Sequence, residues 1–137
     1  MTKKIKAVIA IGGTGGHVLP GCFLADHLNG MNYNVELVTD KRGYKYIKNS
    51  QNFNISTLSS TPLNKKNIFT ISLTFLMVLY AILNSLFFLT IRRPSIVFGM
   101  GGYASFPICI AATILRIRFI IYENNLYIGK ANKYLLP

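Results

Sequence analysis

Residues 9–21 read IAIGGTGGHVLPG: an apolar run, four glycines around a threonine, then a histidine and the start of an apolar stretch. Glycine gives up more backbone freedom on folding than any other residue, so such clustering is costly unless bare backbone is needed. Two familiar glycine loops are excluded by spacing. A G-x-G-x-x-G dinucleotide fingerprint begun at Gly13 meets Val18 where its third glycine should stand. A P-loop needs Gly-Lys-Ser/Thr, and this chain has Gly16-His17-Val18. The loop belongs to neither an NAD site nor a Walker-type site.

Working outward, residues 5–11 (IKAVIAI) form a short, β-branched run bounded by glycine, which predicts a buried strand. Residues 17–29 place Leu19, Phe23, Leu24 and Leu28 at helical spacing, with Pro20 expected in the first turn and Gly30 expected to close the helix. NVELVTD (34–40) predicts a second strand, KRGYKYIKNS (41–50) a polar loop or short helix, and FNISTL (53–58) a weaker third strand. Strand, helix and strand with short joints make a parallel βαβ unit. Further on, PSIVFG (94–99) and RFIIY (118–122) read as strands, with ICIAATILR as a helix between them. The final IGKANKYLLP begins another helix-like segment.

At 137 residues the chain has the size of one domain. Hydrophobic residues make up 51% and charged residues 14%, against roughly 25% charged in an ordinary soluble domain. Fifteen Lys and Arg face four acids, Asp26, Glu36, Asp40 and Glu123, for a net charge of +11. Such a balance suits nucleic acid or an anionic membrane surface. Lys3-Lys4, Lys65-Lys66 and Arg92-Arg93 sit in short pairs beside apolar runs rather than interleaved with stacking aromatics. That favours the membrane and argues against nucleic acid. Cys22 and Cys109 have no metal-ligand spacing and read as buried free thiols. The basic amino terminus is followed by an apolar run of only seven residues, too short for a signal-peptide core.

Residues 67–91 carry no charge over 25 positions, long enough to span a bilayer. The strand predicted at 94–99 argues against spanning, since a crossing helix would separate it from the first three strands. Thr70, Thr74, Asn84 and Ser85 also fall within about 100° of one another on a helical wheel. The expectation is one or two helices that cover the sheet and dip an apolar face into one leaflet.

In a parallel sheet all strand carboxyl ends share one edge, and ligands bind in the crevice there. Three sequence features fall on that edge: Gly12 to His17, Gly99 to Tyr103 and Glu123 to Asn125. Two glycine loops opening helices suit a phosphate, and the pair together a diphosphate. His17 is a candidate phosphate donor or general base, or a helix-start residue serving local backbone; His27 reads as a surface residue. Glu123, the one acid expected at the crevice, is an orienter or a base. Tyr103 packs over a sugar or lipid phosphate, or simply packs.

GGTGGHVLPG, GMGGYASFP and ENNLYIGKANKYL, in that order and spacing, closely resemble the amino-terminal half of the bacterial MurG family. These are undecaprenyldiphospho-muramoylpentapeptide β-N-acetylglucosaminyltransferases. The resemblance implies an α/β fold, a Rossmann-like parallel sheet with helices on both faces, forming one half of a GT-B glycosyltransferase. It implies that residues 1–137 are an acceptor-binding domain, incomplete at its carboxyl end, with the donor domain absent from this chain. Thr14, Gly15, Gly16 and Asn125 are then implied to meet the donor sugar, and Gly13, Gly101, Gly102 and Tyr103 the acceptor diphosphate. His17 matches a candidate base in an inverting, metal-independent transfer, and no cofactor is implied. The family's Glu-Gln-Asn-Gly becomes Glu123-Asn124-Asn125-Leu126 here, and residues 41–92 match in layout only.

The implied partners are UDP-GlcNAc, an undecaprenyl-linked lipid acceptor and the anionic cytoplasmic face of the bacterial inner membrane, bound peripherally. The chain is expected to be a fragment, a truncated product or one subunit of a split enzyme, and inactive alone. Two readings stand beside it: a non-catalytic membrane-bound scaffold that recruits a separate donor-domain chain, and a basic nucleotide- or nucleic-acid-binding domain.

Overall fold

Strand β1 (Lys6–Ala10) is apolar on both sides, and in a parallel sheet covered by helices both sides are buried. The computed structural model, which describes residues 4–48, 53–60 and 68–136, places it at the centre. Ala7, Ile9 and Ile11 pack into one core with Val18, Ala25 and Leu28 of helix α1 (Gly15–Gly30). Val8 and Ala10 point the other way, into a second core with Ile108, Ala111 and Ala112 of helix α4 (Gly102–Ile114). Each fully buried Val, Leu or Ile contributes about 1.5–3 kcal/mol.

The remaining elements are β2 (Asn34–Thr39), α2 (Lys41–Ile47), β3 (Asn54–Thr57), α3 (Ile68–Arg92), β4 (Ile96–Gly99), β5 (Arg118–Ile121) and α5 (Lys130–Lys133). The strands form one parallel sheet in the order β3-β2-β1-β4-β5. Chain direction across the sheet therefore reverses between β1 and β4, the switch point at which such sheets open a crevice.

Local details depart from the sequence reading in three places. Pro20 lies at the sixth residue of α1, in its second turn rather than its first, because the helix begins already at Gly15. Gly30 is the last helical residue, but the left-handed position past the end belongs to Asn32 (φ 67°). α4 starts at Gly102, so most of the stretch expected to be a glycine loop is already helix. Within the segment expected at 41–50, Lys41–Ile47 form a short helix, with Asp40 at its N-cap accepting from the Gly43 N–H at 2.8 Å; residues 49 and 50 lie outside the described residues.

Helix α3 is one continuous helix of 25 residues, about 37 Å long. The strands it connects are four residues each, about 13 Å, so a crossover along them needs little more than a third of that length. The surplus is visible in its burial. Ala81, Ser85 and Leu89 face the protein at four-residue spacing, and the helix packs against α4. Before Ala81, Ile71, Leu73, Phe75, Leu76, Met77, Leu79 and Tyr80 are all exposed. The expected polar stripe turns inward: Ser85 is buried and Thr74 and Asn84 half-buried, while Phe75 and Phe87 stand 67% and 70% exposed. Side chains of the stripe's first member, Thr70, and of Lys3, Lys65 and Lys66 lie outside the described residues.

Arg92, at the carboxyl end of α3, pairs with Glu36 at 3.1 Å and lies over the Phe88 ring, so part of the basic pair's charge is met within the protein. Both thiols are free. Cys109 is buried, and burial pushes its pKa up to about 12. Cys22 is only half-buried, contrary to expectation, and burial followed by the nearby Asp26 charge raises its pKa.

Candidate functional site

The three sequence features meet at the carboxyl edge. After β1 the chain turns at Gly13, in the left-handed region (φ 83°), and passes into α1 through Thr14 as N-cap. The Thr14 carbonyl accepts the first α1 bonds, from the N–H groups of His17 and Val18. The N–H groups of Gly15 and Gly16 precede those bonds and belong to the orphan donors of a helix start. After β4, Gly101 (φ 90°) and Gly102 (φ 76°) make the corresponding turn into α4.

His17 is where the two glycine turns touch. Its Nδ1 lies 3.3 Å from the Thr14 hydroxyl, and its ring fills the space beside Gly101. A Cβ at Gly101 would stand 2.9 Å from His17 Cδ2. His17, Gly102, Tyr103, Glu123, Asn125, Gly129 and Asn132 line a cavity of about 180 Å³ at this point. Five of these residues were singled out from the sequence, so their convergence is a property of the fold rather than of the motifs one by one.

The Glu123 carboxylate is held by four hydrogen bonds. One carboxylate oxygen accepts from the Asn125 backbone and side-chain N–H groups, at 3.1 and 2.8 Å. The other accepts from the Gly129 N–H at 2.8 Å and Asn132 Nδ2 at 2.9 Å. The Gly129 bond leads in holding its pKa below the ordinary carboxylate value. Glu123 thereby fixes Asn125 against the cavity.

Asn124 stitches the same loop to α1. Pro20 has no N–H, so the Gly16 carbonyl lacks its usual partner four residues on. Asn124 Nδ2 donates to that carbonyl at 3.2 Å. Gly15, in contrast, opens toward α2: a Cβ there would face the Tyr46 ring at 3.6 Å rather than the cavity. His27 is exposed at the far end of α1.

One acid was missed. Glu123 is not alone at this edge, because Asp40, at the end of β2, accepts from the Gly13 N–H at 3.3 Å and is 3% exposed. Among the described residues no group of three or more His, Cys, Asp or Glu side chains is gathered to hold a metal.

The chain matches the glycosyltransferase family 28 N-terminal domain over residues 7–137. It is 35% identical over 136 residues to the UDP-N-acetylglucosamine–N-acetylmuramyl-(pentapeptide) pyrophosphoryl-undecaprenol N-acetylglucosamine transferase of Pelagibacter ubique, covering 99% of this chain and 37% of that protein. The protein of the same name from Bartonella henselae is 36% identical over 135 residues, covering 98% of this chain and 36% of its own length. The chain thus spans little more than a third of these curated relatives. Among solved structures, Acinetobacter baumannii MurG superposes with a TM-score of 0.79 at 25% identity, covering 96% of this chain and 37% of that one. The calicheamicin glycosyltransferase CalG4, at a TM-score of 0.62 and 13% identity over 97% of this chain and 36% of its own, shares the fold. Fold, glycine motifs and the match from β1 onward agree: the chain belongs to the glycosyltransferase family 28 N-terminal domain family.

Proposed function

We propose that the chain is the acceptor-binding part of a transferase that moves GlcNAc from UDP-GlcNAc to an undecaprenyl-diphosphate-linked muramoyl-pentapeptide in peptidoglycan synthesis. The observation that carries this reading is the meeting of two glycine-opened helices on His17 at the switch point of a parallel sheet. Their first-turn N–H groups and dipoles suit the acceptor's diphosphate, with Gly13, Gly101, Gly102 and Tyr103 around it. Thr14, Gly15, Gly16 and Asn125 are assigned to the donor sugar, which a second domain presents from across the cleft. His17 then takes the proton of the attacking hydroxyl as the new glycosidic bond forms and the bond to UDP breaks, inverting the anomeric carbon. The names carried by the relatives support the choice of donor and acceptor.

The membrane reading rests on α3. Its carboxyl end leads to the amino end of β4, so its surplus amino-terminal half projects toward the crevice edge. An exposed apolar surface there, with the polar stripe turned inward, suits the headgroup–acyl boundary of the cytoplasmic leaflet, where a lipid-linked acceptor is found. Peripheral association at the inner membrane follows.

The test is transfer from UDP-GlcNAc to a lipid-linked acceptor, by this chain alone and with a donor domain supplied. One half of a cleft cannot hold both reactants within attack distance, so turnover is expected only with the donor domain. Transfer by residues 1–137 alone, or none in the combined protein, contradicts the proposal.

A further inference from the structure

Asp40 has no part in the transfer as proposed, yet its carboxylate holds four other residues together. Oδ1 accepts from the Gly43 N–H at 2.8 Å and the Gly13 N–H at 3.3 Å. Oδ2 accepts from the Ser60 hydroxyl at 2.8 Å and from Arg42 Nη2 and Nε at 2.9 and 3.0 Å.

Capping a seven-residue helix requires only the Gly43 bond, and a serine supplies that. The Gly13 bond does something else. It reaches 27 residues back along the chain, to the left-handed residue at which β1 turns into α1. No intrahelical bond restrains that residue, because the first α1 donor is His17. The approach also depends on missing side chains. A Cβ at Gly12 would collide with the Ala104 side chain and stand 3.3 Å from Asp40 Oδ1, and one at Gly43 would stand 3.0 Å from the Gly12 Cα. Arg42 and Ser60, by gripping Oδ2, stop the carboxylate from rotating away.

We propose that Asp40 is the positioning residue of the first glycine loop: it pins Gly13 in its left-handed turn and so holds Thr14 to His17 toward the crevice. This rests on the reading of that crevice as a diphosphate site, and the experiment separates the two. In the full chain, amide hydrogen exchange at Gly13 is followed by NMR. Binding of farnesyl diphosphate, a short prenyl-diphosphate probe, is measured by calorimetry. Asp40→Ala, Asp40→Ser and Asp40→Asn are compared at a temperature at which circular dichroism shows each folded.

Asp40→Ser restores the helix cap but is too short to reach Gly13. It should melt above Asp40→Ala, having kept the cap, yet exchange Gly13 faster than the wild type and bind the probe about tenfold more weakly, as Asp40→Ala does. Asp40→Asn keeps an acceptor oxygen and should fall between. Wild-type affinity in Asp40→Ser, or Gly13 exchange unchanged in Asp40→Ala, overturns the proposal. If the wild type fails to bind the probe, the diphosphate reading fails, and the Gly13 exchange rates still decide whether Asp40 holds the loop.

Discussion

Helices α1 and α4 both leave switch-point strands through glycines, and both carry proline at their sixth residue, Pro20 and Pro107. Their glycines answer to different constraints. At the start of α4, Gly101 and Gly102 both have positive φ, and the His17 ring occupies the space a Cβ at Gly101 would take. That turn needs glycine for the chain's own geometry. At the start of α1 the same holds for Gly12, against Ala104, and for Gly13, at φ 83°. Gly15 and Gly16 are different. Neither has positive φ, and a Cβ at either would make only ordinary contacts, at 3.6 Å to Tyr46 and 3.8 Å to Thr14 Oγ1. Among the described residues nothing requires either to be glycine, and of the two only Gly16 would turn its Cβ toward the Asn124 side of the crevice.

His17 touches both helix starts, and its removal should have the largest effect. With the donor domain present, His17→Ala is expected to lower kcat by about 10²-fold or more with KM little changed, as loss of a general base does. A raised KM at unchanged kcat would instead make His17 a ground-state contact. Next in size is Gly101→Ala, expected to cost about 1–3 kcal/mol of stability in urea unfolding, from its positive φ and the clash with His17. The two substitutions should not be additive. In the His17→Ala background the clash disappears and only the backbone part of the cost remains. Additive costs would show that the imidazole does not wedge the turn into α4.

Acid should reveal a smaller difference between the edges of the crevice. Burial alone would raise the Asp40 pKa, but the bonds from Gly43, Ser60, Arg42 and Gly13 together hold it below its ordinary 3.8. Glu123 is likewise held below 4.5, chiefly by the Gly129 N–H. A carboxylate with a depressed folded pKa contributes stability above its unfolded pKa, and that contribution is lost as pH falls through the folded value. The fold should therefore weaken below about pH 4. Asp40→Asn should flatten part of that acid limb, and urea midpoints between about pH 2.5 and 7 check it. An unaltered acid limb in Asp40→Asn would remove Asp40 from this role.

The order of strands and helices was legible because strands buried on both faces leave short apolar runs between glycines, as IKAVIAI and PSIVFG do. Boundaries were less so. Gly101-Gly102 reads as loop, and both do turn at positive φ, but α4 begins directly at Gly102, so the expected loop is only the turn itself. Pro20 was misplaced because Gly15 and Gly16 add a turn's start that apolar spacing cannot register. The polar stripe of α3 and its outward apolar face were legible, but not that α4 would cover the stripe, because periodicity fixes faces and not what covers them. Asp40 was missed for a different reason. It lies 27 residues from Gly13 in sequence, and only the β1–β2 pairing brings Gly13 to it.

The most direct test of the contrast between the two glycine turns is Gly16→Ala, measured for stability and for binding of a short-chain lipid-linked diphosphate acceptor on the same preparation. Alanine favours helix over glycine by about 1 kcal/mol in an interior position, so stability should hold or rise slightly. If the loop meets its ligand through bare backbone, as proposed, affinity should fall about tenfold or more. Unchanged affinity at unchanged stability would make the first glycine loop a turn and nothing more, and would contradict its assignment to a ligand.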